Sequence, residues 1–182
     1  NEDKFKKTFP ANFIAEAVDQ TRCWFYVLHV LSNALFKKPA FKNVIVSGIV
    51  LAENGQKMSK RLKNYPDPTD VLNKYGADAL RFYLLNSPVV AAGDLRFSER
   101  GVEHVLKNMM IPLWNAYSFF VTYATIDNWN PKKFAKNSPH KLDTWIRAEL
   151  SELIAGQIEY FRVYDLQKAS NAIYNFVDDL TN

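Results

Sequence analysis

The sequence predicts a chain of two characters, an α/β region followed by an all-helical region. Three observations carry this reading. A largely apolar run of helix length, Asp19 to Phe36, lies between two short β-type runs, one around Phe13-Ile14 and one at Val44-Ile45-Val46. Strand, helix and strand within about 35 residues is the size of a βαβ unit. From Glu99 onward the apolar spacing changes to that of long amphipathic helices.

Taken in order, Asn12 to Glu16 reads as the first strand. Asp19 to Phe36 is apolar nearly all round, as a buried helix would be, and Lys37-Lys38-Pro39 breaks it. Ligands of βαβ units sit beyond the carboxyl ends of the strands, which here are Glu16 to Asp19 and Ser47-Gly48. A polar loop, Ala52 to Lys57, carries the turn signal Asn54-Gly55. Tyr65-Pro66-Asp67-Pro68 then closes a basic segment, so Lys57 to Asn64 belongs to an exposed loop. Short helices follow near Thr69 to Tyr75 and Ala77 to Asn86, before a break at Ser87-Pro88.

In the C-terminal part, Val102, Val105, Leu106, Met109, Leu113, Tyr117, Phe120 and Val121 share a helical stripe, with Pro112 expected to kink it. Leu142, Trp145, Ile146, Leu150, Leu153, Ile154, Ile158 and Phe161 lie on a second stripe. Asp165 is suited to N-cap a third helix carrying Ala169, Ile173, Phe176 and Val177. The connector from Thr125 to Leu142, with Pro131, Lys132-Lys133 and Ser138-Pro139, is the most loop-like stretch. Three long helices with short links read as an incomplete bundle, giving residues 1–98 as one domain and 99–182 as the start of another.

Composition narrows the function classes. With 48% hydrophobic and 14% aromatic residues, only 6 Gly and 8 Pro, the chain is neither disordered nor low-complexity. A single cysteine, Cys23, permits no internal disulfide and no Cys-x-x-Cys site. No apolar run approaches the roughly 18 residues of a membrane span, and the charged start has no signal-peptide core behind it, so a cytoplasmic protein without a membrane partner is expected. A chain that starts at Asn1 and stops directly after a periodic helical stretch reads as an excised piece. The net charge of +4 is uneven: residues 1–64 hold 11 Lys/Arg against 5 Asp/Glu, and the remainder 12 against 14, balances of +6 and −2. A basic N-terminal third fits an anionic ligand, phosphate or nucleic acid, and equally a solvated lysine-rich face.

The sharpest local feature is Lys57-Met58-Ser59-Lys60-Arg61. Two ammonium groups three residues apart on a loop after a glycine turn can reach one phosphate chain, with Ser59 and main-chain N–H groups as further donors. As bare composition, such a run also describes a solvated loop or a general nucleic-acid patch.

The string resembles the KMSKS signature of class I aminoacyl-tRNA synthetases. Phe9 to Glu16, Asp19-Gln20-Thr21-Arg22 and Trp24-Phe25-Tyr26 resemble the segment of isoleucyl-tRNA synthetases that holds the aminoacyl-adenylate. Asn64 to Pro68, Tyr75 to Arg81, Asn86 to Val90, Tyr164-Asp165-Leu166 and Asp178 to Asn182 resemble the eukaryotic cytoplasmic form of that enzyme. The resemblance implies a fold: the second half of a Rossmann-like catalytic domain, with stem-contact helices, followed by a helical anticodon-binding domain.

It also implies roles. Glu16, Asp19 and Gln20 would hold the ammonium, carbonyl and ribose groups of the adenylate, chemistry that suits two carboxylates and an amide. Asp19 reads equally as a plain helix N-cap. Trp24 would line the isoleucine pocket, although a Trp in an apolar helix is otherwise a core residue. Gly48 would let adenine approach the main chain. Lys60 would stabilise the transferring phosphates with Lys57 in support, and Met58 and Ser59 would face adenine. Arg61 stands where many bacterial members have Ser, and is matched only loosely to phosphate or tRNA. For Asp78 and Arg81 a structural ion pair is at least as apt as catalysis.

Ala17 and Cys23 depart from the family, which has glycine at both positions. The HIGH motif is absent from the sequence, and His29, His104 and His140 stand in no comparable string. The editing domain, which answers the weak discrimination of valine from isoleucine in this family, is absent too. The implied reaction is ATP-dependent activation of isoleucine and its transfer to tRNA(Ile), with Mg2+ accompanying ATP and no metal held by these residues. This chain alone is expected to be inactive. A multi-synthetase assembly is among the implied partners. Two other readings stand beside this one: a valyl- or leucyl-tRNA synthetase, against which Asp19 to Arg22 with Trp24 argues, and a non-catalytic tRNA-binding or scaffold module.

Overall fold

The computed structural model describes residues 2–130 and 138–182. The chain divides into two compact units, Asn1–Tyr65 with Ser87–Phe97, and Pro66–Asn86 with Ser98–Asn182. The expected order, α/β followed by α, is what the elements show.

The first unit is built on a βαβ crossover. Strand β1 (Ala11–Ala17) pairs in parallel with β2 (Phe41–Ser47), in a register that sets Ala11 opposite Phe41 and Ala17 opposite Ser47. Helix α1 (Glu2–Thr8) precedes them and was not anticipated; Phe5 and Phe9 stack at 4.8 Å, each 5.1 Å from Phe36. The single helix expected from Asp19 to Phe36 is two pieces: a 3-10 turn, Val18–Arg22, and α2 (Trp24–Phe36), which ends where Lys37 takes the left-handed conformation. Helix α2 is also not buried all round. Phe25 and Ser32 are covered, the first beside the Phe41 ring, while Tyr26, Val30, Leu31 and Leu35 are exposed. A sheet two strands wide covers one side of a helix, so an all-round apolar pattern exceeds what this unit buries.

Beyond β2, the short strands β3 (Val50–Leu51) and β4 (Leu95–Arg96) pair in parallel. A 3-10 turn, Pro88–Ala91, with its first turn capped by Ser87, returns the chain to β2: the Gly48 N–H donates to the Val89 carbonyl at 2.8 Å.

The second unit is helical. Asp67 caps α3 (Pro68–Tyr75), its Oδ1 accepting from the Thr69 N–H at 2.7 Å with Pro68 in the first turn, the arrangement that satisfies orphan donors at a helix start. Gly76, at φ +85°, turns the chain into α4 (Ala77–Leu85). Helix α5 (Glu99–Val105) packs on α4 through Gly101, whose missing β-carbon leaves room for the Tyr83 ring. Near the kink expected at Pro112 lies a π turn, Leu106–Met110, directly before α6 (Ile111–Ile126). Pro112 has no N–H to give to the preceding turn, and a widened turn accommodates that loss. Helices α7 (Lys141–Arg162) and α8 (Leu166–Thr181) form a hairpin. Asp165 caps α8 as expected, accepting from the Lys168 N–H at 3.1 Å.

The core of this unit is Val71, Tyr75, Ala79, Val102, Val105, Met109, Ala169 and Val177. The first expected stripe is therefore buried at Val102, Val105 and Met109, half-buried at Leu106, and exposed from Leu113 onward. The second is exposed at Leu142, Trp145, Leu150, Ile154, Ile158 and Phe161 and half-buried at Ile146 and Leu153. Within this unit α7 meets α8, the Gln157 Nε2 donating to the Ala169 carbonyl at 2.8 Å, and Leu153, Gly156 and Tyr160 line a groove between them. The expected Pro131 and Lys132-Lys133 of the connector lie outside the described residues.

Candidate functional site

The register of the β1–β2 pair fixes where a ligand can approach. Because Glu16 lies opposite Val46 and Ala17 opposite Ser47, Glu16, Asp19 and Gln20 share a carboxyl-terminal edge with Gly48. This is the edge at which open parallel sheets take ligands. Glu16 and Asp19 are exposed and Gln20 half-buried.

Gln20 has work inside the fold. Its Oε1 accepts from the Trp24 N–H at 3.1 Å and its Nε2 donates to Asp19 Oδ2 at 3.1 Å. The capping role considered for Asp19 thus falls to Gln20, since the residue at the N-cap of α2, Cys23, contributes no side-chain bond. Cys23 is exposed and sits between the 3-10 turn and α2, outside the helix. Trp24, the first residue of α2, is 52% exposed, which places it on the surface and not in the core of this unit.

Gly48 is buried, and its surroundings give its side chain no room. A β-carbon there would fall on the carbonyl oxygen of Gly93. The missing side chain is required by this main-chain approach, irrespective of any ligand. Nothing in the local sequence singles out Gly93.

The basic loop is anchored at its start and closed on itself. Lys57 forms an antiparallel bridge with Leu51 at the end of β3, and the Ala52 N–H donates to the Gln56 carbonyl across the Asn54-Gly55 turn. Asn64 reaches back over the loop: its Oδ1 accepts from the Ser59 N–H at 2.9 Å, and its Nδ2 donates to the Lys57 carbonyl at 3.1 Å. Lys63 is left-handed at φ +47°, and its N–H donates to the Ser59 carbonyl at 3.0 Å. Lys57, Lys60 and Arg61 are exposed, while Met58 and Ser59 are half-buried. Among the described residues no ion pair involves Lys57, Lys60 or Arg61. Three cations are thus held out from a loop whose main chain is fixed at Lys57 and Ser59, an arrangement suited to a polyanion.

The remaining expectations also find places. Asp78 and Arg81 pair at 3.6 Å on the exposed face of α4, an i,i+3 pair of the structural kind. His104 meets Asn108 and the Tyr174 hydroxyl on the helical unit, and His29 lies 6.2 Å from the Phe41 ring. No group of three or more His, Cys, Asp or Glu suited to a metal occurs among the described residues. No helix among them is long and apolar enough to cross a membrane. A groove of about 500 Å³ between α7 and α8 is lined by Glu149, Glu152, Glu159 and Asp179, a face that repels a phosphate backbone.

This loop and this sheet edge belong to a known class. The family model described as tRNA synthetases class I (I, L, M and V) matches residues 1–98, more than half of the chain, and the chain belongs to that family. Among curated proteins, it is 56% identical over 182 residues to the isoleucine–tRNA ligase of Protochlamydia amoebophila and 53% identical over 180 residues to that of Bdellovibrio bacteriovorus. These matches cover 100% and 99% of this chain but 18% and 17% of the relatives, so the chain spans under a fifth of their length. Two solved structures share the fold. The ternary complex of an Agrobacterium radiobacter LeuRS with tRNA and LeuAMS aligns with a TM-score of 0.74 at 19% identity, covering 94% of this chain and 23% of that one. Mycobacterium tuberculosis methionyl-tRNA synthetase with methionyl-adenylate gives 0.72 at 23% identity, covering 96% and 34%.

Proposed function

We propose that the chain supplies the KMSKS-type half of the catalytic domain of an isoleucine–tRNA ligase, in residues 1–98, and the start of a helical anticodon-binding domain, in residues 99–182. The observation that carries this is the loop from Lys57 to Arg61, its main chain fixed at Lys57 and Ser59 and its cations in no ion pair among the described residues. The high identity to bacterial isoleucine–tRNA ligases over the whole chain supports isoleucine over valine or leucine. Those relatives are bacterial; the likeness of Asn64 to Pro68 and Tyr75 to Arg81 to the eukaryotic cytoplasmic form remains part of this proposal.

In this reading the isoleucine carboxylate attacks the α-phosphate of ATP in line, the bond to pyrophosphate breaks, and isoleucyl-adenylate forms. The isoleucyl group then passes from the adenylate to a hydroxyl of the terminal ribose of tRNA(Ile), and AMP leaves. Glu16 and Asp19 offer carboxylates to the isoleucine ammonium and the ribose, and Gln20 offers an amide to a carbonyl or hydroxyl. Trp24 contributes one wall of the isoleucine pocket, and Gly48 main chain beside adenine. Lys60 meets the charge that grows on the departing pyrophosphate while Lys57 supports it, and the main chain of Met58 and Ser59 lies toward adenine. Catalysis is then orientation plus cation stabilisation of the leaving group. Mg2+ would travel with ATP. The setting would be the cytoplasm, and a multi-synthetase assembly is a further partner within the proposal.

The test is isoleucine-dependent exchange of pyrophosphate into ATP by the full-length ligase carrying this chain, with valine and leucine alongside. Isoleucine should give the highest kcat/KM, and the 182-residue chain alone should give none. Exchange led by valine or leucine sinks the assignment. Exchange by the chain alone, abolished by Lys60→Ala, sinks its incompleteness. The non-catalytic tRNA-binding reading is disfavoured by the acidic groove between α7 and α8.

A further inference from the structure

We infer that Asn64 is a positioning residue for adenylate formation, and that it works as one unit with the left-handed backbone at Lys63. The inference rests on the reading of Lys57 to Arg61 as the phosphate-handling loop.

Asn64 is half-buried beneath the loop, and its amide spends both ends on main chain that belongs to the loop. Its Oδ1 accepts from the Ser59 N–H and its Nδ2 donates to the Lys57 carbonyl, at 2.9 and 3.1 Å. The side chain therefore spans the main chain on either side of Met58, holding Lys57 and Ser59 at a set separation. Lys57 is fixed from the other direction by its bridge to Leu51. Lys60 is the next residue after Ser59, so the direction in which its side chain leaves the loop follows from a residue whose main-chain N–H and carbonyl are both engaged: the Ser59 carbonyl accepts from the Lys63 N–H at 3.0 Å.

The geometry depends on Lys63. At φ +47° the chain reverses within one residue and brings Asn64 back under Lys57 and Ser59. That region is open to glycine, tolerated at a cost by an unbranched side chain, and strongly disfavoured for a β-branched one. Lys63 itself makes no ion pair among the described residues. Its backbone conformation, not its charge, is what the loop uses. A loop cation contributes most when it is already aimed at the place where charge develops, because no reorganisation is then needed in the transition state. Asn64 and Lys63 supply that aim for Lys60 without touching a reacting atom.

The experiment uses the full-length ligase carrying this chain and four variants: Asn64→Ala, Lys63→Val, Lys63→Gly and Lys60→Ala, with the Asn64→Ala/Lys63→Val double. Single-turnover adenylate formation, isoleucine affinity, melting temperature and hydrogen exchange at the Ser59 amide are read for each. Asn64→Ala should slow adenylate formation by about tenfold to thirtyfold, the size of losing two neutral hydrogen bonds that hold the loop. Exchange at Ser59 should accelerate, while isoleucine affinity and melting temperature stay near the parent. Lys63→Val should do the same, Lys63→Gly should keep the parent rate despite losing the charge, and the double should be no slower than the slower single. If Lys60→Ala is slow and Asn64→Ala is not, the inference is overturned and the loop reading stands. A parent rate in Lys60→Ala overturns the loop reading and this inference with it. Additive losses in the double, or a loss in Asn64→Ala matched by isoleucine affinity, also overturn it.

Discussion

Gly48 and Gly93 meet main chain to main chain: the place a β-carbon would take on Gly48 is occupied by the Gly93 carbonyl oxygen. The contact joins the end of β2 to the segment leading into β4, and the Gly48 N–H bond to Val89 runs alongside it. Gly48→Ala must push two backbones apart. It should cost about 1 to 3 kcal/mol, the usual range for overpacking a tight interior, or more if the loop cannot yield. Urea unfolding of the 182-residue chain measures this. An unchanged midpoint would show that Gly48 is a glycine for the sake of a ligand alone.

The strands, the crossover and the basic loop were legible because each is signalled by local chemistry: β-branched runs, a Lys-Lys-Pro stop, an Asn-Gly turn. Capping was legible in the same way at Asp165. Burial was not. Periodicity says which residues share a face, but whether that face is covered depends on how many elements lie against it, and Leu35, Ile154 and Phe161 have none in their own unit. The roles of Gln20, Lys63, Asn64 and Gly93 were hidden for another reason. Each depends on a main-chain approach or a left-handed turn that pattern does not encode. An Asn just before Tyr65-Pro66 was the one available signal, since Asn side chains readily bond nearby main chain.

Asp165 gives a stability prediction with a pH window. The Lys168 side chain, then the Lys168 main-chain N–H, hold its carboxyl below the ordinary value of 3.8. A carboxylate favoured in the folded state contributes fully above its unfolded value and loses that contribution as pH falls through its lower folded value. The benefit should therefore be constant at neutral pH, begin to fade as pH nears about 4, and be gone only below the lowered folded value. Asp165→Ala should cost about 1 kcal/mol as a lost N-cap. Asp165→Asn keeps the cap and loses only the 2.9 Å pair between the half-buried carboxylate and the exposed Lys168 ammonium, so it should cost a few tenths of a kcal/mol up to about 1 kcal/mol and remove this acid dependence. Chemical denaturation at pH 7 and below pH 4 separates the two.

Cys23 stands outside α2, so the helix-propensity cost of glycine does not apply to it. Cys23→Gly should change stability by less than about 0.5 kcal/mol, as an exposed substitution outside an element does. The exposed thiol should be alkylated in the native chain. A loss of 1 kcal/mol or more on denaturation would return Cys23 to the helix interior that its sequence neighbourhood implied.

Lys60 is where charge and reaction meet in the proposed function. A cation that tracks the departing pyrophosphate acts more on the transition state than on bound ATP, so its loss should lower the rate more than the affinity. In the full-length ligase, Lys60→Ala should slow adenylate formation by roughly a hundredfold or more, the scale of removing one preorganised donor. Lys57→Ala should do less, and Lys60→Arg should recover only part, since a planar fork does not reproduce a point charge. Rates measured in single turnover, with isoleucine binding followed separately, decide it. A loss confined to isoleucine binding would leave the loop as a solvated or RNA-contacting segment.

Gln20 has two employments that can be separated. Its oxygen caps α2 by accepting from the Trp24 N–H, and its amide is proposed to meet the adenylate. Gln20→Ala removes both, and should cost about 1 kcal/mol of stability as a lost cap, together with adenylate retention. Gln20→Glu keeps an oxygen acceptor at the helix start, where negative charge is favourable, but sets it beside Asp19, whose carboxylate now accepts from the Gln20 amide at 3.1 Å. These effects oppose each other, so the stability of Gln20→Glu should stay within about 0.5 kcal/mol of the parent, the range of an ordinary surface substitution. Its amide donor is gone all the same, and the full-length ligase should hold isoleucyl-adenylate as poorly as with Gln20→Ala. Denaturation midpoints and adenylate retention on the purified enzyme make the comparison. If retention follows stability across both variants, Gln20 acts only through α2, and the adenylate loses one of its three proposed partners at the strand edge.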